Sequence, residues 1–323
     1  MLRRILIALV LVLLVSGAAG AWLWWHMQPS AKGFAYVALD RAPLWDGTGP
    51  VRRLLGQLPW GEKLTVLGHY ADSTEVRRAG GEIGWAESDD LADPQVWAQL
   101  GALAARVRQM TPQAVGHTRV LSNLRLNPGI DSPRIGQLRP NTSVEILARG
   151  VAASNSGAEG QPRKQDWLLL RARRQGGGQI AGWSLADFIQ DDPPDPLATY
   201  ATSSGVTPVA WFPLRTVNDP RAGTKPYYLF AGTSAAEGSP CDFTRISVYT
   251  WSVVKEQYAT AFTEGDLCGR LPLDVAFDSD PRKDVHFRFR NLGPGGEETL
   301  AFLMRATIVF PERPARRARA RRR

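Results

Sequence analysis

The sequence predicts an all-β protein. Two small repeated β-modules joined by a helix precede a larger β-rich domain, and one N-terminal membrane helix stands in front of them. Three observations lead there. The stretch "GQLPWGEKLTVLG", beginning at Gly56, returns as "GQLRPNTSVEILARG" at Gly136. The offset is constant, so Leu44 falls on Leu124, Leu55 on Ile135 and Leu64 on Val144. Gly61 falls on Asn141, and these residue types tolerate a positive φ best. A repeat of this kind sets the architecture before any single element is assigned. The second observation is the run from Val209 to Phe310, where short apolar segments alternate and no helical stripe appears. The third is "ILIALVLVLLVSGAAGAWLWW", about 21 residues without a charge, which suffices to cross a bilayer.

The elements follow in chain order. Residues 1–32 read as a signal anchor whose span covers residues 5–25. Arg3 and Arg4 precede it, and the positive-inside rule leaves them in the cytoplasm. Trp22, Trp24 and Trp25 cluster at the outer end, where an aromatic belt sits. The alternative is a leader cleaved near Ala21, since Ala19-Gly20-Ala21 has a small-x-small pattern. Both readings export the rest of the chain, and the first makes it a single-pass protein of a bacterial inner membrane with its bulk in the periplasm.

Residues 33–92 read as the first module, with "FAYVAL", "EKLTVLGHY" and a hairpin "TEVRRAGGEIGWAE" turning at Gly80-Gly81. Residues 93–112 read as a connecting helix. Pro94 suits its first turn, Val96, Leu100, Leu103, Val107 and Met110 form one apolar stripe, and Thr111-Pro112 stops it. Residues 113–192 repeat the module, with "VAASNSGAEGQPRKQ" as an inserted polar loop. Residues 193–207, overlapping the stretch "DDPPDPLATYATSSG" that begins at Asp191, have a linker composition. Residues 208–311 form the β-sandwich or barrel, and residues 312–323 an Arg-rich tail expected to be disordered.

Hydrophobic residues make up 44% of the 323 and charged residues 22%, which is ordinary for globular domains with cores. The net charge of +8 is local: the final "ERPARRARARRR" holds seven arginines and one glutamate, leaving the body at about +2. The folded domains therefore give no reason to expect nucleic-acid binding. The tail, with Arg316, Arg317, Arg319, Arg321, Arg322 and Arg323, fits an anionic surface such as lipid headgroups or an acidic envelope polymer.

The repeated segments resemble the bacterial SH3-like (SH3b) domain family in two tandem copies. The first supplies "APLW", "GQLPWGEKLTVL" and "IGWAESDDL"; the second supplies "SNLRLNPG", "GQLRPNTSVEIL", "DWLLLRA" and "AGWSLADFI". The first copy lacks the Trp that the family places in the strand ahead of its Gly-Gly turn. The resemblance covers roughly half the chain. It implies two small, partly open barrels that serve as targeting or ligand-binding modules, often on cell-wall peptides.

Four Trp residues are binding candidates. Trp85 and Trp183 occupy matched positions and are expected chiefly to fill the barrel cores. Trp45 and Trp60 have Arg125 and Pro140 as counterparts, and an exposed Trp in a loop marks a binding surface more readily.

Cys241 and Cys268 belong to the C-terminal domain. A hairpin turning at Val254-Lys255 sets Trp251 opposite Tyr258, Tyr249 opposite Thr260 and Cys241 opposite Cys268, which permits a disulfide in an exported protein.

The expected function is non-catalytic: an envelope binding or scaffold protein whose partners are peptidoglycan or envelope proteins. One alternative is a Cys/His cell-wall peptidase built on Cys241 and His286. Against it, β-branched and aromatic residues follow Cys241, whereas such a thiol belongs at a helix N-terminus. A second alternative is an assembly surface with the SH3-like modules as spacers. The four His stand singly, so no metal site and no cofactor is expected.

Overall fold

The computed structural model describes residues 30–154, 163–174, 176–277 and 284–312. The described chain is dominated by antiparallel β-structure in four sheets. It forms two compact units, one ending at Pro94 and one starting from Gln95.

The first unit is module 1. Its strands are β1 (Gly33–Val37), β2 (Ala42–Trp45), β3 (Leu54–Leu58), β4 (Lys63–Tyr70), β5 (Ser73–Arg77), β6 (Ile83–Glu87) and β7 (Leu91–Ala92). They pair in the order β3-β2-β6-β5-β4-β1-β7. Alternation builds the core: Val37, Ala42, Leu44, Leu58, Leu64, Val76 and Ala86 point inward and are at most 1% exposed. Each buried Leu contributes roughly 1.5–3 kcal/mol relative to exposure. Gly61 has φ of 79° in the turn before β4, and Asn141 has 59° in the matching turn of module 2. That shared left-handed geometry is why a Gly and an Asn interchange there.

The second unit opens with α1 (Pro94–Val107), which buries Leu100, Leu103 and Val107. Module 2 follows as β8 (Ala114–Thr118), β9 (Ser122–Arg125), β10 (Arg134–Leu138), β11 (Ser143–Ser154), β12 (Arg163–Arg173), β13 (Gln179–Leu185) and β14 (Ile189–Asp191). Its strand order, β10-β9-β13-β12-β11-β8-β14, is that of module 1 strand for strand. The guanidinium of Arg171 donates to the carbonyls of Val107, the last residue of α1, and of Met110 just beyond it, so module 2 ties down the end of the helix.

Two expectations change here. The polar insertion is in part a ladder: β11 and β12 stay paired out to Ser154 opposite Arg163, and only residues 155–162 lie outside the described structure. Residues 193–207 are not a linker throughout, because Asp195–Ser204 is a helix, α2, closed by Gly205 in the left-handed conformation. Leu197 and Ala201, four apart, are its buried face, and Tyr200 stacks on Tyr249 with ring centroids 4.4 Å apart. A Pro in its first turn and a Gly at its end mark both boundaries. The composition conceals one short apolar stripe.

The C-terminal domain has two four-stranded antiparallel sheets. One is β15 (Thr207–Asp219), β16 (Gly223–Thr233), β17 (Arg245–Ser252) and β18 (Gln257–Glu264); the other is β19 (Gly269–Phe277), β20 (Val285–Gly293), β21 (Gly296–Arg305) and β22 (Ile308–Pro311). They share one apolar core, in which Phe212, Leu229 and Val248 of the first sheet pack with Leu273, Phe287 and Phe302 of the second.

Cys241 and Cys268 form a disulfide. Trp251 faces Tyr258 and Tyr249 faces Thr260, but a bulge between Val248 and Tyr249 then shifts the ladder by one residue. The cysteines therefore meet beyond the regular hairpin, beside a bridge between Phe243 and Gly269. A ring closed across 27 residues contributes roughly 3 kcal/mol in the chain-entropy account.

Module 2 and the C-terminal domain are joined by largely buried polar groups. Gln113, 1% exposed, accepts the Leu273 N–H on its side-chain oxygen at 2.7 Å and the Trp211 N–H on its carbonyl at 2.9 Å. Arg149 donates to Asp166 at 2.6 Å, to Asp242 at 2.9 Å and to the Ser239 carbonyl at 3.1 Å. Its side chain is 9% exposed and that of Asp242 is 4% exposed. Burial lowers the Arg149 pKa, but its carboxylate partners more than offset this and hold it above the ordinary arginine value.

Among the described residues no helix is long and apolar enough to cross a membrane. The single-pass inner-membrane placement is withdrawn on that finding. Residues 5–25, on which it rested, lie outside the described residues, as does the cleavage position near Ala21.

Candidate functional site

The Gly-Trp pair near the end of each module is set by a backbone crossing. In β6, Gly84 and Ala86 face inward while Ile83, Trp85 and Glu87 face outward. A Cβ on Gly84 would lie 2.7 Å from the Trp45 carbonyl oxygen and 2.8 Å from Leu44 Cγ. A Cβ on Gly182 would lie 2.9 Å from Leu124 Cβ and 3.2 Å from the Arg125 oxygen. The glycine lets β2 or β9 pass close by, and the next residue is thereby turned to the outer face.

Trp85 and Trp183 are therefore half-buried residues of the outer face, and the expectation that they fill the cores is corrected. Alternation decides this, because the inward positions on either side go to Gly and Ala in module 1 and to Gly and Ser in module 2. Trp45 is likewise on a strand rather than in a loop. It is the last residue of β2, half-buried, and its direct cross-strand partner is Trp85. Residues so paired have Cβ atoms about 4.5–5.5 Å apart. Trp60 lies in the turn between β3 and β4, also half-buried.

Around the Trp45–Trp85 pair the module places charge. Arg52, from the β2–β3 loop, sets its guanidinium carbon 4.4 Å from the Trp45 ring centroid, a cation–π contact of about 0.5–1 kcal/mol at an exposed site. The same guanidinium donates to Glu87 at 2.8 Å. The indole N–H of Trp45 is buried and has no acceptor among the described residues. Arg52 lies outside the repeated segments, and Glu87 falls within "IGWAESDDL" where the second copy has Leu185, so the repeat marks neither. The resulting surface is aromatic, ridged and carries one paired positive and one paired negative group.

The counterpart in module 2 is different. Trp183 faces Arg125 across the ladder, and Arg125 donates to the Ser132 carbonyl at 2.6 Å. A Cβ on Gly150 would lie 3.0 Å from both the Trp183 ring and Pro128 Cγ, so the extended β11 closes over that indole. Module 1 has no such extension, since β4 ends at Tyr70.

The Cys/His pair does not assemble. Cys241 is bonded to Cys268, and the described chain has no free cysteine. His286 Nδ1 pairs with Glu312 at 2.6 Å. It stands five positions along β20 from Asn291, whose side-chain oxygen accepts the Cys268 N–H. At about 3.4 Å per residue this is on the order of 17 Å. No group of three His, Cys, Asp or Glu residues able to hold a metal occurs among the described residues. Arg316, Arg317, Arg319, Arg321, Arg322 and Arg323 lie outside the described residues.

No family model matches the chain, and no curated protein matches it. Solved structures do. A Bacillus cereus NlpC/P60 family protein matches over 55% of this chain at 16% identity and a TM-score of 0.22. The chain spans 64% of that protein's length. NlpC2 of Trichomonas vaginalis matches over 84% of this chain and 92% of its own, at 11% identity and a TM-score of 0.18. NlpC1 of the same organism matches over 84% and 90%, at 10% identity and a TM-score of 0.17. The NlpC/P60 family is one of cysteine peptidases. The expectation of a non-catalytic scaffold, and with it the classification as a non-enzyme, is corrected on these matches and withdrawn. At these TM-scores the likeness transfers no active site to this chain.

Proposed function

We propose that the two repeated modules are SH3-like domains of a cell-wall-directed protein, and that module 1 recognises wall peptide through its Trp45–Trp85 face. One observation carries this: two half-buried Trp residues stand directly opposite each other on the outward side of a sheet, beside the Arg52 guanidinium. Paired aromatic side chains supply rigid contact area at low conformational cost, and they are enriched among residues that dominate binding energies. Arg52 and Glu87 beside them supply charges suited to a peptide's carbonyls and amides. The SH3-like reading is supported by the repeated strand order and by the Gly-Trp pair that each module places against the same crossing strand.

The test is co-sedimentation of the full chain with isolated sacculi. Trp45→Ala and Trp85→Ala are each expected to weaken binding at least tenfold, and Trp183→Ala to leave it within twofold. Absence of wild-type binding, or equal binding by folded Trp45→Ala and Trp85→Ala proteins, would overturn the proposal.

A further inference from the structure

The outer face of module 2 carries a groove at positions where module 1 has larger side chains. Strand register gives the equivalence: Ala35 pairs with Leu64 in module 1, and Gly116 pairs with Val144 in module 2. Phe34 and Lys63 therefore stand where Val115 and Ser143 stand. In module 1 the Lys63 ammonium lies 4.1 Å from the Phe34 ring centroid, so two large side chains stand together on that face. In module 2 the shorter side chains leave a groove of about 520 Å³ running over β8, β11 and β12 to Gln179 of β13. An adjoining recess of about 230 Å³ shares Arg171 and Gln179 with it and reaches Arg108, just past α1. The volume is that of a small-ligand site.

The charges in this groove are unequal. Glu145 is ion-paired with Arg171, and Asp192 is hydrogen-bonded to His117 Nδ1 at 2.9 Å. Arg173 at the rim and Arg108 in the recess have no counter-charge among the described residues. Against Asp192, the one acid of its lining without an arginine partner, the groove and its recess present two guanidinium groups, whose planar forks match a carboxylate. Four strands at about 4.8 Å spacing make a track of about 14 Å, the length of roughly four extended residues.

We infer that this groove binds a short extended peptide bearing a carboxylate, held by Arg173 and Arg108. The inference does not depend on the Trp45–Trp85 reading, which concerns another module.

The experiment uses the full chain with N-acetyl-tetra-alanine as the free acid, its C-terminal amide, and inorganic phosphate as a competing anion. The acid is expected to bind, and the amide at least tenfold more weakly. Arg173→Glu is expected to weaken the acid at least tenfold. So is the double change Val115→Phe with Ser143→Lys, which rebuilds the module 1 surface. Trp45→Ala should leave peptide binding unchanged while losing sacculi, which separates the two sites. Equal binding of acid and amide would overturn the inference. So would wild-type affinity in the folded groove variants, or competition by phosphate at the same concentration as the acid peptide.

Discussion

In module 1, β4 stops at Tyr70; in module 2 its counterpart β11 runs on to Ser154. The same strand order thus serves two ends. The short hairpin leaves the Trp45–Trp85 face open and keeps its ion pair, Arg52 with Glu87, at 27% and 36% exposure. The long one carries Arg149 and Asp166 to the C-terminal domain and buries them against Asp242. Identical architecture does not fix where a module puts its charge. The length of one hairpin decides whether a face stays open to a ligand or closes on a neighbouring domain.

Removing one arginine from each module should separate their behaviour most widely. Arg149→Ala removes the shorter of the two ion pairs to buried Asp242, leaving Arg270 at 3.5 Å, and strands Asp166 as well; breaking a buried pair costs up to about 3–5 kcal/mol. Arg52→Ala removes a surface pair worth about 0–1 kcal/mol, with a cation–π contact of similar size. Denaturant titrations should show the second unit losing stability in the first variant and module 1 barely moving in the other. Similar small shifts in both would mean the buried network is not holding the second unit together.

Smaller and symmetrical effects are expected at the glycines ahead of Trp85 and Trp183. Gly84→Ala and Gly182→Ala each push a methyl into a crossing strand, and overpacking of this kind costs about 1–3 kcal/mol. Melting of each variant should show comparable losses in the two modules. A loss in only one would show that the crossing geometry is not shared.

The smallest effect is one of pH. Burial, with repulsion from Asp192 adding to it, raises the Asp191 pKa to about 6. The folded state then holds this proton more tightly than the unfolded chain does. Stability from this group is present below about pH 4 and is lost as pH rises through about 6. Module 2 should soften over that range, and Asp191→Asn should flatten the profile. An unchanged profile in the Asn variant would remove Asp191 as the cause.

Much of the local organisation is legible in the chain itself. The constant offset, the αL-tolerant pair Gly61 and Asn141, the turn at Val254-Lys255 and the stripe of α1 each rest on near neighbours. The features that mislead depend on distant ones. Trp85 reads as core because a strand Trp usually packs, yet its direction is fixed by how closely β2 passes Gly84. Residues 193–207 read as linker because their only apolar face is Leu197 and Ala201, which gains meaning once there is a sheet to cover. Arg149 carries no signal in the sequence, since its partners Asp242 and Ser239 stand about ninety positions away.

The chain alone settles periodicity, turn chemistry and duplication, because those are written in spacings of two to four residues and in one repeated segment. Which indole faces solvent, which carboxylates meet Arg149, and how far the Cys–Cys contact departs from a regular ladder are settled only by folding. Those outcomes depend on the register and proximity of strands far apart in the chain, where a bulge of one residue moves every partner beyond it.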